Sequence, residues 1–291
     1  MVKKGVILCG GQGTRFLPVT KALPKEMLPV VDTPVLQYIV DEMIDSGITD
    51  ICIVISPGKE EIVRYFSPDD KLETSLRNKG DEKGLASLQN INKGARFFFA
   101  VQKSPKGMAD ALLTAKDFIG DDPFVLSTGD DLVRAEVPVS KQLIDAFEQG
   151  ASAVIGGQTV PDDKIHLYGC ADLGEKIYGN YRAHVCKTLI EKPKKEDAPS
   201  NFAALGRYVL TPAIFEKISQ ITPDKKGELQ VTDALKLLCD EGKVCAYDFE
   251  GYRYDMGSKA GAVKAIISYA LVHPDTSEET KTYIKNISKD V

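Results

Sequence analysis

The chain has 291 residues, 43% hydrophobic and 27% charged, which suits a globular protein and is too apolar for disorder. With a net charge of −5 it carries no footprint for wholesale nucleic-acid binding, so an anionic ligand must meet cations clustered locally. No apolar run approaches the roughly 18 residues that span a bilayer, and six cysteines without a C-x-x-C pair exclude the usual zinc and thioredoxin spacings. Val6–Cys9, preceded by Lys3-Lys4 and broken by Gly10-Gly11, is too short for a signal-peptide core and reads as a first strand. Pro34 opens a helix with Leu36, Ile39, Val40, Met43 and Ile44 on one face, and Gly47 stands where a terminating glycine belongs. Next come a strand at Ile51–Ile55, a helical stretch from Lys59 to Phe66, and a polar surface excursion over 67–95 with some helix. A strand at Phe97–Val101 follows, then a helix near Ala109–Phe118 and a strand at Phe124–Ser127.

A helix at Val139–Phe147 leads to another strand, Ala153–Ile155. The apolar runs are continuous, as in a parallel sheet covered on both faces, and the alternation of strand and helix predicts a doubly wound α/β core. Beyond it the pattern loosens into short strands and loops up to Arg207–Leu210. Ser258 can cap a last strong helix carrying Val263, Ile266, Ile267, Ala270 and Leu271, and the charged tail from Pro274 reads as a loosely docked helix.

The segment richest in chemistry is Leu8–Pro18, directly after the first strand. Gly10, Gly11 and Gly13 let backbone approach phosphates and turn N–H groups toward them, at the edge where open α/β sheets bind ligands. A Walker A loop is excluded because no Lys-Ser or Lys-Thr follows. A dinucleotide fingerprint fails because Phe16 stands where its last glycine belongs, and the second strand ends in Ser56-Pro57 rather than an acid. Lys25, framed by Pro24 and Pro29, joins Arg15 in one long loop and supplies two cations that suit a triphosphate. Gly129-Asp130-Asp131 follows a strand's carboxyl end, where such a pair is either a solvated turn or a source of hard oxygen ligands for a cation such as Mg²⁺.

The run G-G-x-G-T-R-x-x-P followed by P-K-x-x-L-P resembles the nucleotide-sugar pyrophosphorylases, the sugar-phosphate nucleotidyltransferases. The form of Lys21–Pro29 is similar to that of the family's bacterial uridylyltransferases. The resemblance continues in order through Gln102-x-x-Pro105-x-Gly107, Glu191-Lys192-Pro193, Ala198–Asn201, Gly206–Leu210, Glu228–Ala234 and Tyr254–Gly257, over roughly residues 3 to 270. It implies a Rossmann-like, mixed but mostly parallel sheet flanked by helices, of the glycosyltransferase-A type. It divides a single domain into a nucleotide-binding half (1–157), a sugar-binding half (158–257) and a C-terminal helical segment (258–291). The implied reaction joins UTP to α-D-glucose 1-phosphate with Mg²⁺, giving UDP-glucose and pyrophosphate, in a cytoplasmic homo-oligomer, dimer or tetramer.

By the same resemblance Gly10, Gly11, Gly13, Thr14, Arg15, Lys25, Gln102 and Gly107 would bind the nucleotide, with Arg15, Lys25 and Asp130 catalytic. Asp130 and Asp255 would hold the metal. Glu191 would accept from two sugar hydroxyls, as an acceptor-only carboxylate suits a vicinal diol, and Lys192 would hold the sugar's phosphate. Asp131 and Gly169 would lie against the sugar. Three segments depart from the uridylyltransferase pattern: Gly10–Gly13, Gly107–Ala111 and Ser127–Asp130. All three bear on base preference and leave the reaction type alone. A dTTP-using thymidylyltransferase and a non-catalytic regulatory relative are the alternatives, although the latter should lack Lys25, Lys192 or Asp130. A protein nucleophile is not needed, in keeping with His166, His184 and His273 standing beside no Ser or Cys nucleophile motif.

Overall fold

The computed structural model describes residues 1–177, 179, 181–242 and 244–289. It opens with β1 (Lys4–Cys9), the short strands β2 (Pro29–Val30) and β3 (Thr33–Pro34), α1 (Val35–Asp45) and β4 (Asp50–Ile55). Helices α2 (Glu60–Phe66), α3 (Asp70–Lys79) and α4 (Glu82–Gln89) lead to β5 (Arg96–Val101). Then α5 (Met108–Leu113) and α6 (Lys116–Ile119) lead to β6 (Phe124–Thr128), β7 (Asp131–Arg134) and α7 (Val139–Phe147). Four long strands follow, β8 (Ala153–Thr159), β9 (Gly169–Lys176), β10 (Ala183–Glu191) and β11 (Phe202–Leu210). The remaining elements are α8 (Ala213–Ile218), α9 (Val231–Cys239), β12 (Val244–Asp248), β13 (Tyr252–Asp255), α10 (Lys259–Ala270) and α11 (Ser277–Ile287).

Nine strands form one mixed sheet in the order β5-β4-β1-β6-β11-β8-β12-β10-β9. Strand β1 is parallel to β4 on one side and to β6 on the other, so the strand order reverses beside it. The crevice at such a reversal, outside the strands' carboxyl ends, is where open α/β sheets bind ligands. Strand β11 runs antiparallel between β6 and β8, so residues of the second half complete the sheet of the first. The start of β11 also pairs with β9, curling the far side back on itself.

The continuous apolar runs have their reason in the core. Along β1, Ile7 and Cys9 pack on the side of α1, while Val6 and Leu8 pack on the side of α5 and α9. Both faces of the strand are therefore buried, and neither can be polar. All six cysteines are free and buried. Among the described residues no helix is long and apolar enough to cross a membrane.

One element differs from the sequence expectation, and two others meet it with added detail. The helix near Ala109–Phe118 is split, because Thr114 donates its hydroxyl to the Ala111 carbonyl (2.7 Å) and the N–H groups of Thr114 and Ala115 bond three residues back. That tightened turn ends α5 before α6 begins. The excursion at 67–95 holds two well-made helices, capped by Asp69 on the Leu72 N–H (3.0 Å) and Asp81 on the Gly84 N–H (2.8 Å). Ser258 does cap α10, accepting from the Gly261 N–H (3.1 Å). Yet Val263, Ile266 and Ile267 turn outward, and the helix docks through the small Ala262 and Ala265 and through Tyr269, which packs edge-on against Tyr38. Helix α11 buries none of its residues.

Candidate active site

A cavity of about 500 Å³ opens at the carboxyl ends of β1, β5 and β6. Gly10, Gly11, Gly13, Thr14, Arg15 and Lys25 line one wall, Gln102, Gly107 and Asp130 another, and Glu191 and Lys192 face them from the end of β10. The parallel register places Leu8 opposite Thr128, and the Gly129 N–H donates to the Leu8 carbonyl (3.0 Å). The β1–β6 ladder thus runs one residue past the strand and delivers Asp130 beside the glycine loop.

That loop is propped from behind by a residue the sequence did not single out. Lys59, buried just before α2, donates to the carbonyls of Cys9 (2.6 Å) and Gly11 (2.8 Å) and to both carboxylate oxygens of Glu26 (2.8 Å each). Glu26 is 1% exposed, so the pair is an internal strut between the loop and the Lys25 segment.

Asp130 and Asp255, 125 positions apart, are brought to either side of Gly257, Asp130 on the cavity wall and Asp255 just behind it, where it accepts from the Gly257 N–H (2.9 Å). The antiparallel ribbon β7–β13 pairs Asp131 with Asp255, and the two carboxylates of interest flank Gly257. A methyl group on Gly257 would lie 3.0 Å from Asp255 Oδ1, 3.4 Å from Asp130 Oδ2 and 3.5 Å from Arg15 Nη1. Arg15 donates to the Gly257 carbonyl (3.2 Å), and Lys25 Nζ donates to Asp130 Oδ2 (2.5 Å). Among the described residues no cluster of three His, Cys, Asp or Glu could enclose a metal alone. Two hard carboxylates at one glycine are the donor type Mg²⁺ takes alongside phosphate oxygens and water, so the donor set fits that ion.

Asp131 does not face the cavity, contrary to expectation. Arg253 clasps both its carboxylate oxygens, donates to the Tyr168 hydroxyl (3.1 Å) and stacks on the Tyr168 ring. The carboxylate is spent on locking the ribbon that carries its neighbour. Gly169 also stands off the wall. A Cβ there would fall 2.9 Å from Thr232 Cγ2, so its bareness makes room for Thr232, which donates to Glu191 Oε2 (3.0 Å) from below.

Glu191 pairs with Lys192 (2.8 Å), whose backbone φ of 43° is left-handed. Such a conformation costs a non-glycine residue about 1–3 kcal/mol and persists only where surroundings impose it. Here the Lys192 N–H is held by the Tyr168 carbonyl (3.1 Å).

At the opposite end, Gln102 Nε2 donates to the Gly107 carbonyl (3.1 Å) and to Asp110 Oδ2 (2.8 Å). Gly107 has φ of 96°, and a Cβ there would strike the Leu229 carbonyl oxygen at 2.4 Å. The close approach is maintained by Leu229 N–H to Lys106 O (2.8 Å) and Ala109 N–H to Leu229 O (3.0 Å). Only glycine fits.

The family model for Nucleotidyl transferase matches residues 4–270, which include every one of these walls. The chain belongs to the nucleotidyl transferase family. It is 44% identical over 286 residues to a UTP–glucose-1-phosphate uridylyltransferase of Staphylococcus epidermidis, covering 98% of each chain. A UTP-bound UGPase from Acinetobacter baumannii superposes with a TM-score of 0.88 at 34% identity, covering 98% of this chain and 99% of the other. A UDP-glucose pyrophosphorylase complexed with UDP-glucose gives 0.83 at 37% identity, covering 92% and 98%.

In this nucleotidyl transferase the charges at the glycine loop are set by opposition. Burial would pull the Lys25 ammonium down, but Asp130 and Glu26 outweigh it and hold its pKa above the ordinary lysine value. Burial pushes the Cys9 thiol well up, with Glu26 adding to the shift, so it is inert. Beyond Lys59, the sequence reading gave no role to Thr128, Glu228 or Gln230, which also line the cavity. Glu228 and Gln230 lie in a recognised motif, so their signal was present. Lys59 had none: a lysine before Glu60-Glu61 looks like any solvated helix start.

Proposed function

We propose that this nucleotidyl transferase joins UTP to α-D-glucose 1-phosphate and releases UDP-glucose and pyrophosphate, with Mg²⁺ as its metal. The observation that carries the reading is one cavity holding a cation-bearing glycine loop at one end and the Glu191-Lys192 pair at the other. The names and bound nucleotides of the relatives support the same substrates.

A phosphate oxygen of glucose 1-phosphate attacks the α-phosphorus of UTP. The bond from that phosphorus to the bridging oxygen breaks on the opposite side, and pyrophosphate leaves with the electron pair. The substrate supplies the nucleophile, so the protein's work is positioning and charge neutralisation. Gly10, Gly11, Gly13 and Thr14 offer backbone N–H groups to the triphosphate, and Arg15 and Lys25 neutralise it. Lys192 holds the sugar phosphate as a point charge while Glu191 accepts from sugar hydroxyls. Asp130 and Asp255 would hold the Mg²⁺, which supplies a Lewis acid and a template for phosphate oxygens.

On this reading residues 1–157 serve the nucleotide and 158–257 the sugar, in a cytoplasmic enzyme. The outward apolar row of Val263, Ile266 and Ile267 supports assembly into a homo-oligomer, dimer or tetramer, which sedimentation velocity measures. The deciding experiment is pyrophosphate release by purified protein against four nucleoside triphosphates and several sugar 1-phosphates, with and without EDTA. The expected order with glucose 1-phosphate is UTP, then dTTP, with CTP and ATP far behind, and EDTA abolishing turnover. ATP in first place overturns the reading.

A further inference from the structure

Gln102 ends the β4–β5 ladder, its N–H donating to the Ile55 carbonyl (2.8 Å), and its side chain is buried at the cavity wall. Its amide has two partners on one side, the Gly107 carbonyl and the Asp110 carboxylate, and both are acceptors. A backbone carbonyl has no proton to give, nor has an ionised carboxylate. Turning the amide round would therefore set Oε1 against two oxygens. As it stands, Oε1 faces Gly10, 3.0 Å from where a Cβ on that glycine would lie. Gly10 and Gln102 both line the cavity, whereas Asp110 stands behind Gln102 on α5 and is not part of the wall.

We propose that Asp110 is a specificity-positioning residue: it fixes the Gln102 amide so that the cavity meets an acceptor and no donor. This rests on the reading above that the Gln102 end receives the base. Uracil and thymine carry a proton on N3 and can donate to that oxygen. Cytosine has a bare N3, and its lone pair would face the Gln102 oxygen. Without Asp110 one of the two restraints on the amide is gone, and the turned amide, presenting its NH₂, becomes accessible to cytosine. The device separates pyrimidines by their N3–H and is blind to the methyl group of thymine.

The test is kcat/KM for UTP, dTTP and CTP at saturating glucose 1-phosphate, in wild type, Asp110→Leu, Asp110→Ala, Asp110→Asn and Gln102→Ala. Leu and Ala remove the acceptor, and Ala guards against a side chain that disturbs α5. Each should lower the UTP:CTP ratio by about tenfold or more, out of the roughly 10⁴ a hydrogen-bonded site can enforce. The dTTP:UTP ratio and the KM for glucose 1-phosphate should stay within twofold. Asn, which can still turn its carbonyl toward Gln102, should keep the UTP:CTP ratio within about threefold of wild type. Equal losses for UTP and CTP in Asp110→Leu and Asp110→Ala would show a merely structural residue and overturn the proposal. If Gln102→Ala collapses the ratio while those two variants leave it intact, Asp110 alone is overturned. A wild type without preference for UTP over CTP overturns the base-site reading and this inference together.

Discussion

The two lysines of the cavity are held in opposite ways. Lys25 has a side chain 17% exposed, locked on Asp130 beneath a glycine loop that Lys59 and Glu26 brace from behind. Lys192 is 58% exposed, on a left-handed residue, and pairs with its neighbour Glu191. One end of the cavity is rigid by its bracing, and the other is an exposed charge on a strained, left-handed residue. On the proposed reading the contrast matches the loads: a triphosphate needs several donors in fixed geometry, whereas a phosphate monoester can be met by one exposed cation.

Asp130 is the place to break the comparison hardest. Asp130→Asn should lower turnover at least about 100-fold while the circular dichroism melt stays close to wild type, because it removes a metal carboxylate and frees Lys25 from its anchor. Retention of turnover within about tenfold would mean that the rigid end is not where the chemistry lies. Next in size is Lys59→Met, which strands the buried Glu26 charge. Losing one partner of such a pair costs about 3–5 kcal/mol, to be read from urea unfolding, and Glu26→Leu added to it should recover much of the loss. If Lys59→Met unfolds no earlier than wild type, the brace is ornamental.

The lysines themselves sharpen the contrast. Lys192→Ala should raise the KM for glucose 1-phosphate by about tenfold and leave UTP binding alone, one lost charged contact being worth roughly 1.5–3 kcal/mol at most. Lys25→Ala should weaken UTP binding or turnover instead. Calorimetry that finds the same losses for both ligands in both variants would merge the two ends into a single phosphate cluster. The smallest expected effect is none. Burial pushes the thiols of Cys52 and Cys245 up to about 12, and the other four cysteines are buried too. No cysteine should react quickly with a disulfide reagent at pH 8, and all six should do so after unfolding.

These ends were not equally legible in the sequence. The rigid end announces itself, since Gly10–Arg15 and Lys25 are close in sequence and sit after an apolar run whose burial on both faces fixes it as a central strand. The strand and helix order of the first half could be read for the same reason. What brings Asp130 to Asp255 is a two-stranded ribbon between distant segments, and no local pattern encodes that pairing. Asp131 illustrates the limit. The resemblance set it against the sugar, but strand alternation points it away from the cavity, into Arg253. Lys59 was hidden because burial of a lysine depends on a partner, Glu26, that only the fold supplies. On α10 the helix itself could be read, but helical spacing tells which residues share a face and not which face the core takes.

The insertion of β11 between β6 and β8 has a consequence for how the protein is made. As the chain leaves the ribosome, β1, β4, β5 and β6 can assemble early, yet the outer edge of β6 has no partner until residues 202–210 emerge. For that interval the nascent sheet presents an apolar, unpaired strand edge, the kind of surface that templates association with other chains. A translational pause between Thr128 and Phe202 would lengthen that interval.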